Sequence, residues 1–68
     1  MFNQPYAKYF GANIRRVSKY NGNHKILIIQ KRNILADSWH DVREYDELSN
    51  DNAYSESSSY ASTLATAR

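Results

Sequence analysis

The sequence predicts an α+β domain, in which a small three-stranded antiparallel meander carries one C-terminal helix packed on one face. Three observations predict it: residues 13–20 read as a strand with Ile14, Arg16, Ser18 and Tyr20 on one face and Arg15, Val17 and Lys19 on the other, a β-branched run covers Ile26–Ile29, and apolar residues recur at helical spacing near the C-terminus. A chain of 68 residues forms a single domain, 1–68. We divide it into an N-terminal arm (1–13), the sheet (14–45) and the helix (49–67).

The first strand and its hairpin are predicted from local signals. Pro5 removes a backbone donor and Gly11 interrupts the stretch, so residues 1–13 are expected to be an irregular or edge arm. The first strand covers 13–20. Asn21 and Gly22 then supply the positive φ angles of a tight hairpin turn, which predicts a second strand over 24–32.

The third strand follows a predicted loop over 33–37 and covers 38–45. If the second hairpin is centred on this loop, Ile28 faces Val42 across the two strands. Ile26, Ile28 and Val42 would then share the face that points into the core.

The last segment is predicted to be a helix that begins at one of three good N-cap residues, Ser49, Asn50 or Asp51. The residues expected to face the sheet are Tyr54, Ala61, Leu64 and Ala65, with Ser57 or Ser58 between them. Because serine is a poor helix former, we expect this helix to depend on docking against the sheet.

Strong core-forming residues are few. Ile, Leu, Val and Phe together make up 13 of the 68 residues. That is just under the roughly 20% below which disorder becomes common in highly charged chains. The net charge is only +2, and six Tyr and one Trp add large buriable surfaces. We therefore expect a folded domain of marginal stability that self-association or a partner helps to stabilise.

Composition also argues against several classes of function. The absence of cysteine excludes disulfides, cysteine-ligated zinc and a thiol nucleophile. The longest apolar run, Ile26–Ile29, is far too short to cross a membrane, and no signal peptide is evident, so we expect a cytoplasmic protein without a membrane partner. His24 and His40 are predicted to lie too far apart for one metal ion. With no nucleophile elbow and no glycine-rich phosphate loop, we expect neither an enzyme nor a cofactor.

Charge is divided between the two halves of the chain. Residues 1–32 contain seven Lys and Arg and no acid, whereas residues 33–68 carry a net charge of −5. Aromatic residues lie among the cations: Phe2, Tyr6, Tyr9, Phe10 and Tyr20. This combination is typical of single-stranded nucleic-acid binding, in which cations contact phosphates and rings stack on bases. The alternative is that the cations pair with the acidic half and the rings form the core.

Tyr, Trp and Arg also dominate the hot spots of protein–protein interfaces, which favours a docking face on this chain. A further reading is a homodimer, formed by pairing of an edge strand at residues 14–20. The candidate partner-binding residues are Arg15, Arg16, Lys19, Tyr20, Lys31, Arg32 and Trp39.

Residues Trp39–Tyr54 resemble the strand-to-helix junction of small accessory proteins of tailed bacteriophages. The shared pattern is a Trp-containing strand that ends in EYD-x-LS-x-D and runs into a Tyr/Ala helix, over 16 of the 68 residues. The resemblance implies a host-takeover or anti-defence protein in the cytoplasm of a bacterial host, and it assigns no functional residue. We therefore expect a non-enzymatic protein that docks on a host protein or nucleoprotein complex, such as defence or transcription machinery, and inhibits it. The alternative is direct nucleic-acid binding.

Overall fold

The computed structural model describes residues 7–67, which form one antiparallel sheet and one helix. The elements are β1 (Ala7–Tyr9), β2 (Ile14–Asn21), β3 (His24–Asn33), β4 (Ser38–Asp46) and α1 (Ala53–Thr66). The strands lie in the order β1-β2-β3-β4. The α+β class, the antiparallel sheet and the C-terminal helix are confirmed, but the sheet has four strands instead of three.

Strand β1 lies within the segment 1–13 that was predicted to be an irregular or edge arm, and it adds an edge strand that the three-stranded prediction lacked. Ala7–Tyr9 pairs with Arg15–Val17, and the Phe10 amide donates a hydrogen bond to the Ile14 carbonyl at 3.0 Å. Three residues are too few to show a readable alternation, so tertiary pairing alone reveals this strand. The rest of the predicted arm, 1–6, lies outside the described residues.

The added strand also changes the status of β2. Because β1 covers Arg15–Val17, this part of β2 is internal to the sheet and is not the free edge that the sequence predicted over 14–20. Pairing of a second copy at these positions is therefore blocked. The edges of the described sheet are β1 and β4.

The first hairpin forms at the Asn-Gly pair, but Asn21 is the last residue of β2, and the turn residues are Gly22 and Asn23. Asn21 pairs with His24, which leaves two residues in the turn. The positive φ of 67° falls on Gly22, the first of these two residues. Glycine adopts this conformation without steric strain, so its position fixes the register of β2 against β3.

The register of β3 against β4 differs from the prediction. Ile28 pairs with Glu44, and Val42 is the extra residue of a β-bulge between the pairs Ile29–Arg43 and Gln30–Asp41. Val42 is 38% exposed and does not join the core. The prediction assumed unbroken pairing, and no glycine marks the bulge in the sequence.

The helix packs on the face of the sheet that carries Leu27 and Ile29, both of which are fully buried. The central cluster consists of Ile14, Ile29 and Ala61, with rings and aliphatic side chains packed around it. The expected core set was Ile26, Ile28 and Val42. Of these only Ile28 is buried, and it lies on the opposite face of the sheet.

Helix α1 begins at Ala53, later than the predicted start at 49. The preceding residues form a turn, in which the Asn50 side-chain oxygen accepts from the Asn52 amide at 2.9 Å and its amide group donates to Glu56 at 2.9 Å. Asn52 is the N-cap, but its side chain makes no capping hydrogen bond. Asn50 therefore organises the helix entry from outside the helix.

The buried residues of α1 are small and lie four positions apart: Ala53, Ser57 and Ala61. This spacing lets the helix approach the sheet closely. Tyr54 was predicted on the buried face but is exposed, because the stripe runs one residue earlier at this end. Within residues 7–67, no helix is long and apolar enough to cross a membrane.

We predict that Leu27→Ala lowers the free energy of unfolding by about 2–5 kcal/mol, because it leaves a cavity between sheet and helix. The matched control is Leu35→Ala, since Leu35 is 99% exposed at the β3–β4 turn. Its effect should lie within about 0.5 kcal/mol. Urea denaturation followed by circular dichroism measures both, and equal effects would place the core elsewhere.

Candidate functional site

The alternation of side chains along each strand divides the seven predicted partner-binding residues between two faces. We call the side covered by α1 the helix face and the other side the far face. Arg16, Tyr20 and Lys31 lie on the helix face. The other four predicted residues, Arg15, Lys19, Arg32 and Trp39, lie on the far face. The predicted set therefore does not form one patch.

The cations of the basic half are held by aromatic rings more than by carboxylates. Within residues 7–67, the two ion pairs are Arg32–Asp37 at 2.9 Å and His24–Asp46 at 3.3 Å. Four cations lie 4.2 to 5.8 Å from ring centroids: Lys8, Arg15, Arg16 and Lys25. In this part of the chain the internal ion pairing that was the alternative is therefore limited, because Arg32 is the one Lys or Arg of the basic half that pairs with a carboxylate. A ring attracts a cation but does not neutralise its charge.

A pocket of about 450 Å³ lies on the helix face, between α1 and strands β1, β2 and β3. We call it the cationic pocket. Its lining residues are Ala7, Lys8, Arg16, Ser18, Tyr20, Lys25 and Tyr54. Three of them are cationic and none is acidic, so the pocket carries a concentrated positive charge.

The sheet register brings the cations of the pocket together. Lys8 lies directly opposite Arg16 on the neighbouring strand, and Lys25 lies opposite Tyr20. Like charges directly opposite each other destabilise a sheet. Neither Lys8 nor Arg16 forms an ion pair with a carboxylate in the described part of the chain. The fold therefore maintains this positive charge against its own stability.

The helix fixes the guanidinium of Arg16. Its Nη1 donates to the hydroxyls of Ser57 at 3.2 Å and Ser58 at 2.8 Å. Ser57 is fully buried and in turn donates to the Tyr54 carbonyl at 3.0 Å. The serines that weaken the helix in isolation thus act as acceptors that orient an arginine from the sheet.

Lys25 is held in a similar way by Tyr54. Its Nζ donates to the Tyr54 hydroxyl at 2.7 Å. This hydrogen bond is the main cause that raises the pKa of Lys25 above its usual 10.5. Partial desolvation opposes the rise, and the nearby Tyr20, Tyr54 and Glu47 add to it. Lys25 is therefore fully charged at neutral pH.

Of the seven lining residues the sequence identified Arg16 and Tyr20, and the five that it missed include Lys8, Lys25 and Tyr54. Lys25 could have been identified from the sequence, because a two-residue turn at Gly22 places Lys25 opposite Tyr20. Lys8 required the strand β1, and Tyr54 required the correct face of α1. Neither of these was readable from the sequence.

The far face contains a second cluster, around Trp39. The Arg15 guanidinium lies 4.2 Å from the Trp39 ring, and the Tyr9 ring contacts Trp39 edge-on at 6.0 Å. Arg15 also donates to Gln30 at 2.8 Å, and Gln30 donates to Asp41 at 2.8 Å. Trp39 is therefore half-buried beneath an arginine, and its role in partner binding stays a prediction.

The far face carries charged side chains of both signs. The register aligns Lys19 of β2 with Ile26 and Asp46, while Arg15 is linked through Gln30 to Asp41. Basic β2 and acidic β4 thus lie two strands apart on the same surface. The cationic pocket has a single sign of charge, which makes it the stronger candidate site.

The last two predicted residues lie towards the β3–β4 turn. Arg32 closes this turn through its ion pair with Asp37. Lys31 lines a separate pocket of about 360 Å³ beside the C-terminal end of α1. Neither residue contributes to the cationic pocket. Within residues 7–67, no group of three or more His, Asp or Glu side chains is placed to hold a metal ion.

We predict that Tyr54→Phe lowers the pKa of Lys25 towards 10.5, because the substitution removes the hydroxyl that accepts from Nζ. Because the pKa of Lys25 is raised in the folded state, the contribution of this hydrogen bond to the free energy of unfolding is fully present below pH 10.5. It is lost as the pH rises through the folded-state pKa. An NMR titration of the lysine side chains measures the shift. Tyr60→Phe is the control, because Tyr60 contacts Arg43 instead; an unchanged Lys25 pKa in Tyr54→Phe would contradict the assignment.

Comparison with known protein families, characterised proteins and solved structures finds no match to this chain. The resemblance of residues Trp39–Tyr54 to phage accessory proteins therefore stays a prediction.

Proposed function

We propose that this chain is a non-enzymatic binding protein, which uses the cationic pocket to dock on a negatively charged site of a host protein or nucleoprotein complex. It would block that partner sterically and electrostatically, as the resemblance to phage accessory proteins implies. The observation that supports this most directly is the set of Lys8, Arg16 and Lys25 around one pocket without an acidic lining residue.

The cost of maintaining this charge favours a binding role over a purely structural one. A directly opposed Lys8–Arg16 pair opposes folding, and an apolar pair at these positions would fit the sheet better. An anionic group from a partner would relieve the repulsion on binding. The pair is therefore more useful in a complex than in the isolated chain.

The pocket is also organised before a partner arrives. Hydrogen bonds from Ser57 and Ser58 orient Arg16, and the Tyr54 hydroxyl orients Lys25. Less side-chain entropy is then lost on association. The unneutralised charge also accelerates encounter with an acidic surface.

Aromatic residues at the pocket complete a typical docking surface. Tyr20 is 73% exposed, and Tyr54 is also exposed beside it. Tyrosine and arginine are enriched among residues that dominate binding energy. The exposed rings thus supply contact area next to the charges that select an anionic partner.

We predict that Lys25→Glu weakens partner capture about tenfold, because it places a like charge against the anionic group of the partner. Lys19→Glu is the matched control. It changes the net charge equally, but Lys19 lies on the far face, paired with Ile26. The measurement is quantitative capture from bacterial lysate by the tagged protein, with and without nuclease, for variants that circular dichroism shows to be folded.

The two variants separate a local site from a general charge effect. Loss with Lys25→Glu alone supports docking through the cationic pocket. Equal loss with both variants would mean that only net charge matters, and retention with both would exclude the pocket. Loss with Lys19→Glu alone would move the interface to the far face.

A further inference from the structure

We propose that the cationic pocket binds a nucleotide, with the phosphate held by Lys8, Arg16 and Lys25 and the base stacked on Tyr20. This deepens the proposed function, on which it rests for the location of the site. It names the chemical group of the partner that enters the pocket.

The charge of the pocket fits a phosphate better than a carboxylate. Three cationic side chains line it and no acid does. A carboxylate carries one negative charge and two acceptor oxygens, whereas a terminal phosphate carries about −1.5 to −2 and three strong acceptor oxygens. A terminal phosphate therefore compensates the pocket charge more fully and uses more of its donors, whereas a phosphodiester within a strand carries one negative charge, as a carboxylate does.

The donors for such a group remain available. The hydrogen bonds of Arg16 within the described residues use Nη1 only, which leaves Nε and Nη2 without an acceptor in this part of the chain. Lys25 donates one of its three N–H bonds to Tyr54. Arginine can therefore bind two phosphate oxygens at once, while the lysines supply point charges.

Tyr20 provides the surface for a base. Its ring stands at the rim of the pocket, 73% exposed, with Lys25 5.8 Å from its centroid. Stacking of a base on an exposed aromatic side chain contributes roughly 1–3 kcal/mol and tolerates any base. The cation beside the ring adds attraction to the neighbouring phosphate, so one side of the pocket offers both interactions.

The size of the pocket agrees with a nucleotide. Its volume is about 450 Å³. That lies within the roughly 300–1,000 Å³ typical of small-molecule sites. Phosphate alone would fill only part of it. Because stacking on Tyr20 requires an unpaired base, the ligand is either a free nucleotide or a nucleotide within a single strand, and a duplex is not expected to bind.

The test uses the full chain at low salt and fluorescence anisotropy with a short labelled oligothymidylate. AMP should displace the probe, inorganic phosphate should do so at about tenfold higher concentration, and adenosine should not. Oligonucleotide binding tighter than AMP binding, with a steep salt dependence, identifies a nucleotide within a strand as the ligand. Equal affinities identify the free nucleotide.

Matched variants assign the binding to this pocket. Tyr20→Ala should weaken binding about tenfold, whereas Tyr20→Phe should retain it because the ring is preserved. Lys25→Gln should weaken binding several-fold, and Lys19→Gln on the far face should not. The proposal is overturned if no nucleotide binds at low salt, if Tyr20→Ala binds normally, or if the two lysine variants are equivalent.

The result is distinguishable from a failure of the proposed function. Nuclease-resistant, Lys25-dependent capture of a protein without nucleotide binding would overturn the nucleotide inference and leave docking intact. Nucleotide binding without Lys25-dependent capture of a protein would overturn docking and leave the nucleotide inference intact. Competition by phosphotyrosine equal to that by AMP would replace the nucleotide with a phosphorylated peptide.

Discussion

The contact of Arg16 with Ser57 and Ser58 connects the sheet, the helix and the candidate site. The small residues on the buried face of α1 bring the helix close to the sheet, and the arginine fits beneath it because two hydroxyls accept its hydrogen bonds. A larger residue at Ser57, which is fully buried, would push the helix away. The same contact therefore sets the helix position and aims a cation into the pocket.

Aromatic rings and cation stems supply packing that the sparse aliphatic core lacks. Arg43 lies 4.7 Å from the Tyr60 ring, which repeats at the β4 side the arrangement of Arg16 against Tyr54 at the β2 side. Long basic side chains cover apolar surface with their stems and keep the charged head near water. The high tyrosine and low leucine content thus suits a domain whose layers are joined by cation–π contacts.

The sequence was sufficient for the features that local chemistry determines. Gly22 identified the hairpin of β2 and β3, and helical spacing identified α1 with Ala61 facing the sheet. Features set by tertiary pairing were not predicted from the sequence, because β1 is too short to show a pattern and the bulge at Val42 has no marker residue.

The residues of the cationic pocket were predicted only in part. Arg16 and Tyr20 were identified, but they were grouped with Lys19 and Trp39, which lie on the far face of the sheet.

The bulge at Val42 has a further consequence for how the chain behaves in a crowded solution. Strand β4 is an edge of the described sheet, and its backbone would otherwise be a template for stacking of further strands. The bulge bends and twists this edge and interrupts its regular row of donors and acceptors. Charged side chains flank the bulge, with Asp41 on one side of it and Arg43 on the other. The bulge thereby opposes polymerisation of this small domain through β4, which is the longer of the two edge strands of the described sheet.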